Sequence, residues 1–473
     1  MTEYRIEKDT MGDVKVPKDA YYGAQTQRAV ENFPVSGQRL PRYFVAAIAH
    51  LKSACAEVNL ALKPQRMTPE LCKMIQDACA RVADGGLDAE FPIDVFQTGS
   101  GTSTNMNANE VIANLCNEKT GGQRGVYKPV HPNDHVNMGQ SSNDIIPTTS
   151  HLAALLAIQR DLKPALDQLA SSLEKKAKEF DGVVKLGRTH LMDAVPVRMG
   201  QEFGGYAMQV RKGWEQIERA SKGLEELAIG GTATGTGINS HPEFAKRVCA
   251  LLGKKLGIPV REARDHFEAQ GGRDDMAMVS GALKGLACSL TKIANDIRWM
   301  GSGPFGGLAE LQIPDLQPGS SIMPGKVNPV MSEMLTQIAA QVIGNDAAIT
   351  IGAQGGNFEL NVMIPVMIAN LLNSIAILAN GSRLFAARCV DGLKANAEKC
   401  AELLEKSPIS ATALNPIIGY DRAAALIKEA LKKKASVKQL AIEQGLITKE
   451  QADKAFDFRK MTEPGETAGG GGG

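Results

Sequence analysis

Four clusters of small polar residues carry most of the side chains able to do chemistry. The first is Gly99-Ser100-Gly101-Thr102-Ser103-Thr104-Asn105, and the second is Gln140-Ser141-Ser142-Asn143-Asp144. The third is Gly187-Arg188-Thr189-His190. The fourth is Ser320-Ser321-Ile322-Met323-Pro324-Gly325-Lys326-Val327-Asn328-Pro329, with Glu333 just beyond. Hydroxyls, amides and backbone N–H groups of this kind suit oxyanions. Lys326 adds a positive charge, and an imidazole such as that of His190 suits proton transfer near neutral pH. Any one cluster reads first as capping and turn chemistry, which Ser, Thr and Asn do everywhere. His190 by itself reads as a satisfied structural histidine. Four clusters without aromatics, all able to bind an anion, point instead to one small acidic substrate. Residue types and spacing stop there, at an anion site with an acid/base and no reaction.

Other motifs fail on inspection. Gly319 to Lys326 resembles a phosphate-binding loop, but five residues separate its glycines instead of four, and Val327 stands where a hydroxyl must meet magnesium. Pro324 also removes a backbone donor from the would-be cradle. Gly230-Gly231-Thr232-Ala233-Thr234-Gly235-Thr236-Gly237 lacks the third glycine and the preceding strand of a dinucleotide fingerprint. His131 and His135 are four apart, but Pro132 and Asn133 mark a turn rather than a metal-binding helix. His131, Asn133 and Asp134 remain able to hold a polar ligand.

The elements that must position these clusters read as helices. Thr68-Pro69-Glu70 is an N-cap followed by proline at the first helical position. Helical spacing of Leu152, Leu155, Leu156, Leu162, Leu166, Leu169 and Leu173 runs from 151 to 180, with Pro164 expected to kink or break it. Long patterns follow at about 200–228, 276–300, 332–352 and 360–388, which predicts a helical bundle. Met334–Ile343 and Val362–Leu378 are apolar nearly all round, so they must be buried on all sides, most easily between subunits. Asp421 is expected to cap a helix ending at Lys432-Lys433-Lys434. Ser436–Ala441 and Gly445–Thr448 only weakly resemble a helix-turn-helix. The divisions predicted are a mixed, mainly helical domain at 1–139, a long-helix bundle at 140–393, a small helical domain at 394–463 and a flexible tail at 464–473.

Composition narrows the class. The chain has 473 residues, 53 Lys+Arg against 52 Asp+Glu, and a net charge of +1. That balance gives no global electrostatic case for nucleic acid or an anionic membrane. With 43% hydrophobic and 22% charged residues, disorder and a coiled-coil rod are poor readings. Aromatics are only 5%, which favours helices over an all-β architecture. The eight cysteines form no CxxC pair and read as buried free thiols of a reducing cytosol. The N-terminus has no secretory apolar region, and no uninterrupted apolar stretch reaches the roughly 20 residues a bilayer needs. A cytoplasmic protein is expected.

The four clusters resemble the signature regions of the fumarase/aspartase superfamily. GSSIMPGKVNP from Gly319 is similar to its signature loop, and a match of that length is highly specific. The likeness extends through GAQTQRA at Gly23, GSGTSTNMNANEVIAN at Gly99, HPNDHVN at His131 and QSSND at Gln140. It continues through GRTHLMDAVP at Gly187, GGTATGTGIN at Gly230, KIANDIRW at Lys292, GNFELNV at Gly356 and TALNPIIGYD at Thr412. Nearly the whole chain is covered, and the likeness is greatest to the class II, iron-independent fumarate hydratases.

The resemblance implies a mostly α, three-domain subunit whose long central helices join those of three others in a homotetramer. It implies active sites that combine loops of three subunits, with no metal or cofactor. The implied reaction is reversible trans hydration of fumarate to (S)-malate, a step of the tricarboxylic acid cycle, through an aci-carboxylate. In that scheme Ser320 is the C3 base, activated by backbone N–H groups and Lys326. His190, partnered by Glu333, works on water. Ser100, Thr102, Ser141, Ser142, Asn143, Thr189, Ser321, Lys326 and Asn328 hold the carboxylates, and His131, Asn133 and Asp134 match a second dicarboxylate site. Aspartase is the alternative, and it typically carries Gln where His190 stands and Ala where Gly325 stands. Hydroxide needs an acid to leave, whereas an ammonium group already carries its proton, so His190 favours hydration. Tyr21-Tyr22-Gly23 and Ala194-Val195-Pro196 lean toward aspartase, outside the acid/base positions. Ile145 and His266 also depart from the family pattern. A non-catalytic oligomer on this fold would have lost Ser320, His190, Lys326 and Glu333, all of which are present.

Overall fold

Apolar residues recurring every three or four positions make this chain helical, and the computed structural model describes it over residues 3–433 and 435–464. A hairpin comes first, β1 (Tyr4–Asp9) and β2 (Gly12–Pro17). Then follow α1 (Ala24–Asn32), α2 (Arg42–Leu62), α3 (Pro69–Asp84), α4 (Thr102–Lys119) and α5 (Ser142–Ala157). α6 (Lys163–Glu179) leads into a second hairpin, β3 (Val184–Thr189) and β4 (Met192–Arg198). α7 (Met199–Ser221), α8 (Phe244–Leu256), α9 (His266–Gly271), α10 (Asp274–Met300), α11 (Val330–Ala353) and α12 (Ile364–Arg388) come next. The chain closes with α13 (Ala397–Lys406), α14 (Asn415–Ile418), α15 (Tyr420–Lys433), α16 (Val437–Glu443) and α17 (Lys449–Ala455).

The long helices fall where the periodicity put them, except that α7 stops at Ser221 rather than near 228, and other features differ as well. Pro164 does not end the first. A π-helical turn at Ile158–Leu162 joins α5 to α6, with the Lys163 N–H bonded to the Ile158 carbonyl. The wider turn gives the pyrrolidine ring room that a regular turn denies it. Asp421 is not an N-cap, since it lies one residue inside α15, in its first turn. The N-terminal hairpin has no counterpart in the sequence reading, because charged residues interrupt its few apolar ones. Thr68 does cap α3, its hydroxyl accepting the Leu71 N–H at 3.3 Å with Pro69 behind it. Lys434 and residues 465–473 of the expected tail at 464–473 lie outside the described residues.

The described residues divide into two compact units. One holds residues 3–164, 213–287 and 338–379. Its centre is α2, packed on α3, α5 and α8, with Ile48, Leu51 and Cys55 of α2 and Ile75 of α3 fully buried. The other holds residues 165–212, 288–337 and 380–464. There α13 backs strand β3, and Leu414, Leu426, Leu440, Ile447 and Phe456 form a C-terminal core.

Within one chain α11 is not buried on all sides. Leu335, Ala339, Val342 and Ile349 are buried, yet Ile343 is 43% and Ile351 65% exposed. Helices 42–62 and 364–392 have the length and mean hydropathy of a membrane span, but 61% of each such window is buried in the protein. All eight cysteines are free thiols, and only Cys288 is exposed.

Candidate active site

In the first unit two helix N-termini carry the hydroxyl clusters. Gly101, at φ +73°, turns the chain into α4, and a Cβ there would press on Ile146. Gly99 lies so close to Val362 that a Cβ would come within 1.8 Å of its carbonyl oxygen. This packing holds Ser100, which is buried, with its hydroxyl 2.8 Å from that of Thr102. At α5, Ser141 is the N-cap. Ser142 accepts a hydrogen bond from the Asn105 amide at 3.1 Å, and the Asn143 amide donates to the Ala233 carbonyl at 2.8 Å. Ser141, Ser142, Asn105 and Thr232 line a cavity of about 380 Å³. The buried oxygens Asn105 Oδ1 and Thr232 Oγ1 have no hydrogen-bond partner there among the described residues.

Two buried charges support this wall. Asp144 accepts the Ser141 N–H at 2.9 Å on one oxygen, and the N–H groups of Gly230 and Thr232 at 3.0 Å on the other. Burial raises its carboxyl to about 6, against the pull of those donors and of Lys52. Lys52 is fully buried and donates to Asn137 Oδ1 at 2.8 Å and to Gln140 Oε1 at 2.9 Å. Burial lowers its ammonium to about 7. The sequence reading missed Lys52, named Asn105 only as a member of the first cluster, and gave Thr232 no role. Lys52 is one cation in a helix, and nothing local distinguishes it from a surface lysine.

The His131 region forms a π-helical turn at Pro132–Val136, not an α-helix. His131 Nδ1 accepts the N–H groups of Asn133 and Asp134 at 3.3 and 3.2 Å, which caps the start of this turn. Burial lowers His135 from its ordinary value. Asn133 and Asp134 line a cavity of about 580 Å³ that also includes Lys63 and Arg66. Those two cations, absent from the sequence reading, suit an anion. Among the described residues no three His, Cys, Asp or Glu side chains are grouped to ligate one ion.

In the second unit His190 sits at the tip of the β3–β4 hairpin. His190 and Leu191 form its two-residue turn at φ +56° and +60°. Turns with two positive φ values usually take Asn or Gly. Thr189 and His190 are both exposed. Within the chain no hydrogen bond or ion pair joins His190 to Glu333 among the described residues; Glu333 lies in the first turn of α11.

The loop before α11 is closed at its base. The Gly319 N–H donates to the Lys326 carbonyl at 2.9 Å, and the Asn328 amide donates to the Gly319 carbonyl at 2.6 Å. Inside it, Ser320 Oγ accepts the backbone N–H groups of Ile322 and Met323 at 3.2 and 3.1 Å. Ser321 and Lys326 are exposed. The structure thus gathers Ser100, Thr102, Ser141, Ser142 and Asn143 in one unit. Thr189, His190, Ser320, Ser321, Lys326, Asn328 and Glu333 lie in the other.

Comparison with known proteins agrees along the chain. The lyase family matches residues 12–344, and the family described as fumarase C C-terminus matches 411–463. Fumarate hydratase class II of Mycobacterium tuberculosis is 55% identical over 463 residues, 97% of this chain and 96% of that protein. Fumarate hydratase class II 2 of Pseudomonas aeruginosa is 50% identical over 465 residues, covering 98% and 100%. The crystal structure of class II fumarase from Schistosoma mansoni superposes with a TM-score of 0.94 at 38% identity, covering 97% of this chain and 99% of that one. Fumarate lyase:delta crystallin from Brucella melitensis, bound to cobalt, gives 0.93 at 43% identity, covering 98% and 100%.

Proposed function

The chain belongs to the lyase family of class II fumarate hydratases, with their mostly α fumarase/aspartase fold, and from that premise we propose how its clusters work. It is a hydro-lyase that interconverts fumarate and (S)-malate by trans addition of water, in the tricarboxylic acid cycle. In the dehydration of malate, Ser320 takes the C3 proton, the electron pair passes into the adjacent carboxylate as an aci-carboxylate, and the C2 hydroxyl leaves as water. His190, partnered by Glu333, gives that hydroxyl its proton. The observation that carries this reading is the pair of N–H groups aimed at Ser320 Oγ. They stabilise negative charge on that oxygen, which a serine base requires. The exposed Lys326, on the same loop, supplies positive charge to the same end in this reading, with Asn328 and Ser321. Ser100, Thr102, Ser141, Ser142, Asn143 and Thr189 hold the carboxylates. His131, Asn133 and Asp134 form a second dicarboxylate site, and the nearby Lys63 and Arg66 support that assignment.

The protein acts as a cytoplasmic homotetramer with sites assembled from three subunits. The exposed apolar residues of α11 support assembly, because such a stripe needs a partner. The three-domain division at 1–139, 140–393 and 394–463 is retained as part of this reading. Turnover needs neither metal nor cofactor, and the partners include no nucleic acid and no membrane.

Ultraviolet loss of the fumarate double bond tests the assignment, run in water alone, with ammonium and with EDTA. Loss without ammonium, unchanged by EDTA and yielding malate, is the expected result. Loss only with ammonium makes the enzyme an aspartase and overturns the weight placed on His190.

A further inference from the structure

The β3–β4 hairpin that ends in His190 is held by a buried ion network that the reaction itself does not use. Arg188 donates Nη1 to Glu310 Oε2 at 3.0 Å and Nη2 to Glu310 Oε1 at 2.9 Å, a two-pronged pair. The Glu310 side chain is completely buried, and Lys185 Nζ stands 3.3 Å from its Oε2. Lys185, itself buried, also donates to Glu202 at 3.0 Å. Two carboxylates thus meet two cations. Glu310 is fixed through its backbone as well. Its N–H donates to the Met300 carbonyl at 2.8 Å, and its carbonyl accepts the Asn396 N–H at 2.9 Å. On the opposite strand Asp193, the register partner of Arg188, accepts the Ser407 hydroxyl at 2.8 Å.

The clamp sits directly below a turn that strains. His190 and Leu191 both hold left-handed φ values without being glycine. Such a turn persists only where its surroundings over-determine it. Only Thr189 separates Arg188 from His190. A buried ion network adds little net stability over apolar packing of the same volume, so geometry is what this one supplies.

We propose that Glu310, acting through Arg188, is a positioning residue that fixes the direction in which the hairpin presents the His190 imidazole. The inference rests on the reading of His190 as the acid/base. It acts at a distance, so Glu310 and Arg188 are assigned no contact with the reacting atoms.

The test is a kinetic double-mutant cycle on the full-length enzyme, with fumarate hydration as readout. His190→Asn is expected to lower kcat by roughly 100-fold or more. Arg188→Lys keeps the charge but loses the fork, and kcat falls by roughly 10- to 100-fold. In the double variant Arg188→Lys then changes kcat by less than about twofold, because its effect passes through the missing imidazole. Wild-type turnover of Arg188→Lys overturns the inference while leaving His190 in its role. Fully additive losses also overturn it, since a merely structural residue behaves that way. Wild-type turnover of His190→Asn removes the functional reading, and the inference with it. Should Arg188→Lys not fold, Glu310→Asp, which keeps the carboxylate one methylene further back, takes its place in the same cycle.

Discussion

Ser141 and Asp144 cap the start of α5 reciprocally. The Ser141 hydroxyl accepts the Asn143 N–H at 3.2 Å while Asp144 Oδ1 accepts the Ser141 N–H at 2.9 Å. The other Asp144 oxygen gathers the N–H groups of Gly230 and Thr232, so one carboxylate fastens two walls of the anion cavity.

Asp144→Asn is therefore expected to loosen both walls. An amide offers one acceptor where the carboxylate offers two, and at least one buried N–H is left unpaired. Such a loss destabilises by about 1–3 kcal/mol. Melting temperature should fall and KM for fumarate should rise. A KM equal to wild type in a folded variant would separate Asp144 from the substrate wall.

Ser320→Ala removes the oxygen to which the Ile322 and Met323 N–H groups point. Turnover is expected to drop by roughly 10²- to 10⁴-fold. Elution on a sizing column and the melting temperature should not change, because the side chain lies on an irregular loop. Near-normal turnover excludes Ser320 as the base.

Lys52 gives a pH dependence of stability. Its ammonium is lowered by burial from 10.5 to about 7 in the folded protein. The unfolded chain therefore binds the extra proton between those values, and stability attributable to Lys52 rises with pH across that window. Below about 7 both states are charged, and the full burial penalty applies. The melting temperature of wild type relative to Lys52→Met should thus climb from pH 7 to pH 10. A constant difference would show that Lys52 is not held in a lowered state.

Ile351→Asp places a charge on the exposed apolar stripe of α11, where Ile351 is 65% exposed. Within one chain the change should scarcely matter to folding. If α11 packs against other subunits, analytical ultracentrifugation will show dissociation, and activity will fall with it. A dissociated but fully active species would contradict shared active sites.

Much of this protein was legible locally. Helix periodicity placed α7, α10, α11 and α12 to within a few residues, apart from the C-terminal end of α7, because one buried face repeats every turn wherever the helix packs. Thr68-Pro69 announced a cap because capping needs only adjacent residues. The polar clusters at Ser100, Ser141, His190 and Ser320 were visible because each is contiguous in sequence. Tertiary structure decided what contiguity cannot encode. Pro164 survives because a π-helical turn precedes it. Lys52 and Glu310 are single charged residues with no local pattern, and only the packing around them takes them out of water. Once there, each must find partners from distant segments, Asn137 and Gln140 for the one and Arg188 for the other. Sequence determined which groups are available for chemistry, and the fold determined which charges are buried to hold them, since burial belongs to the whole chain.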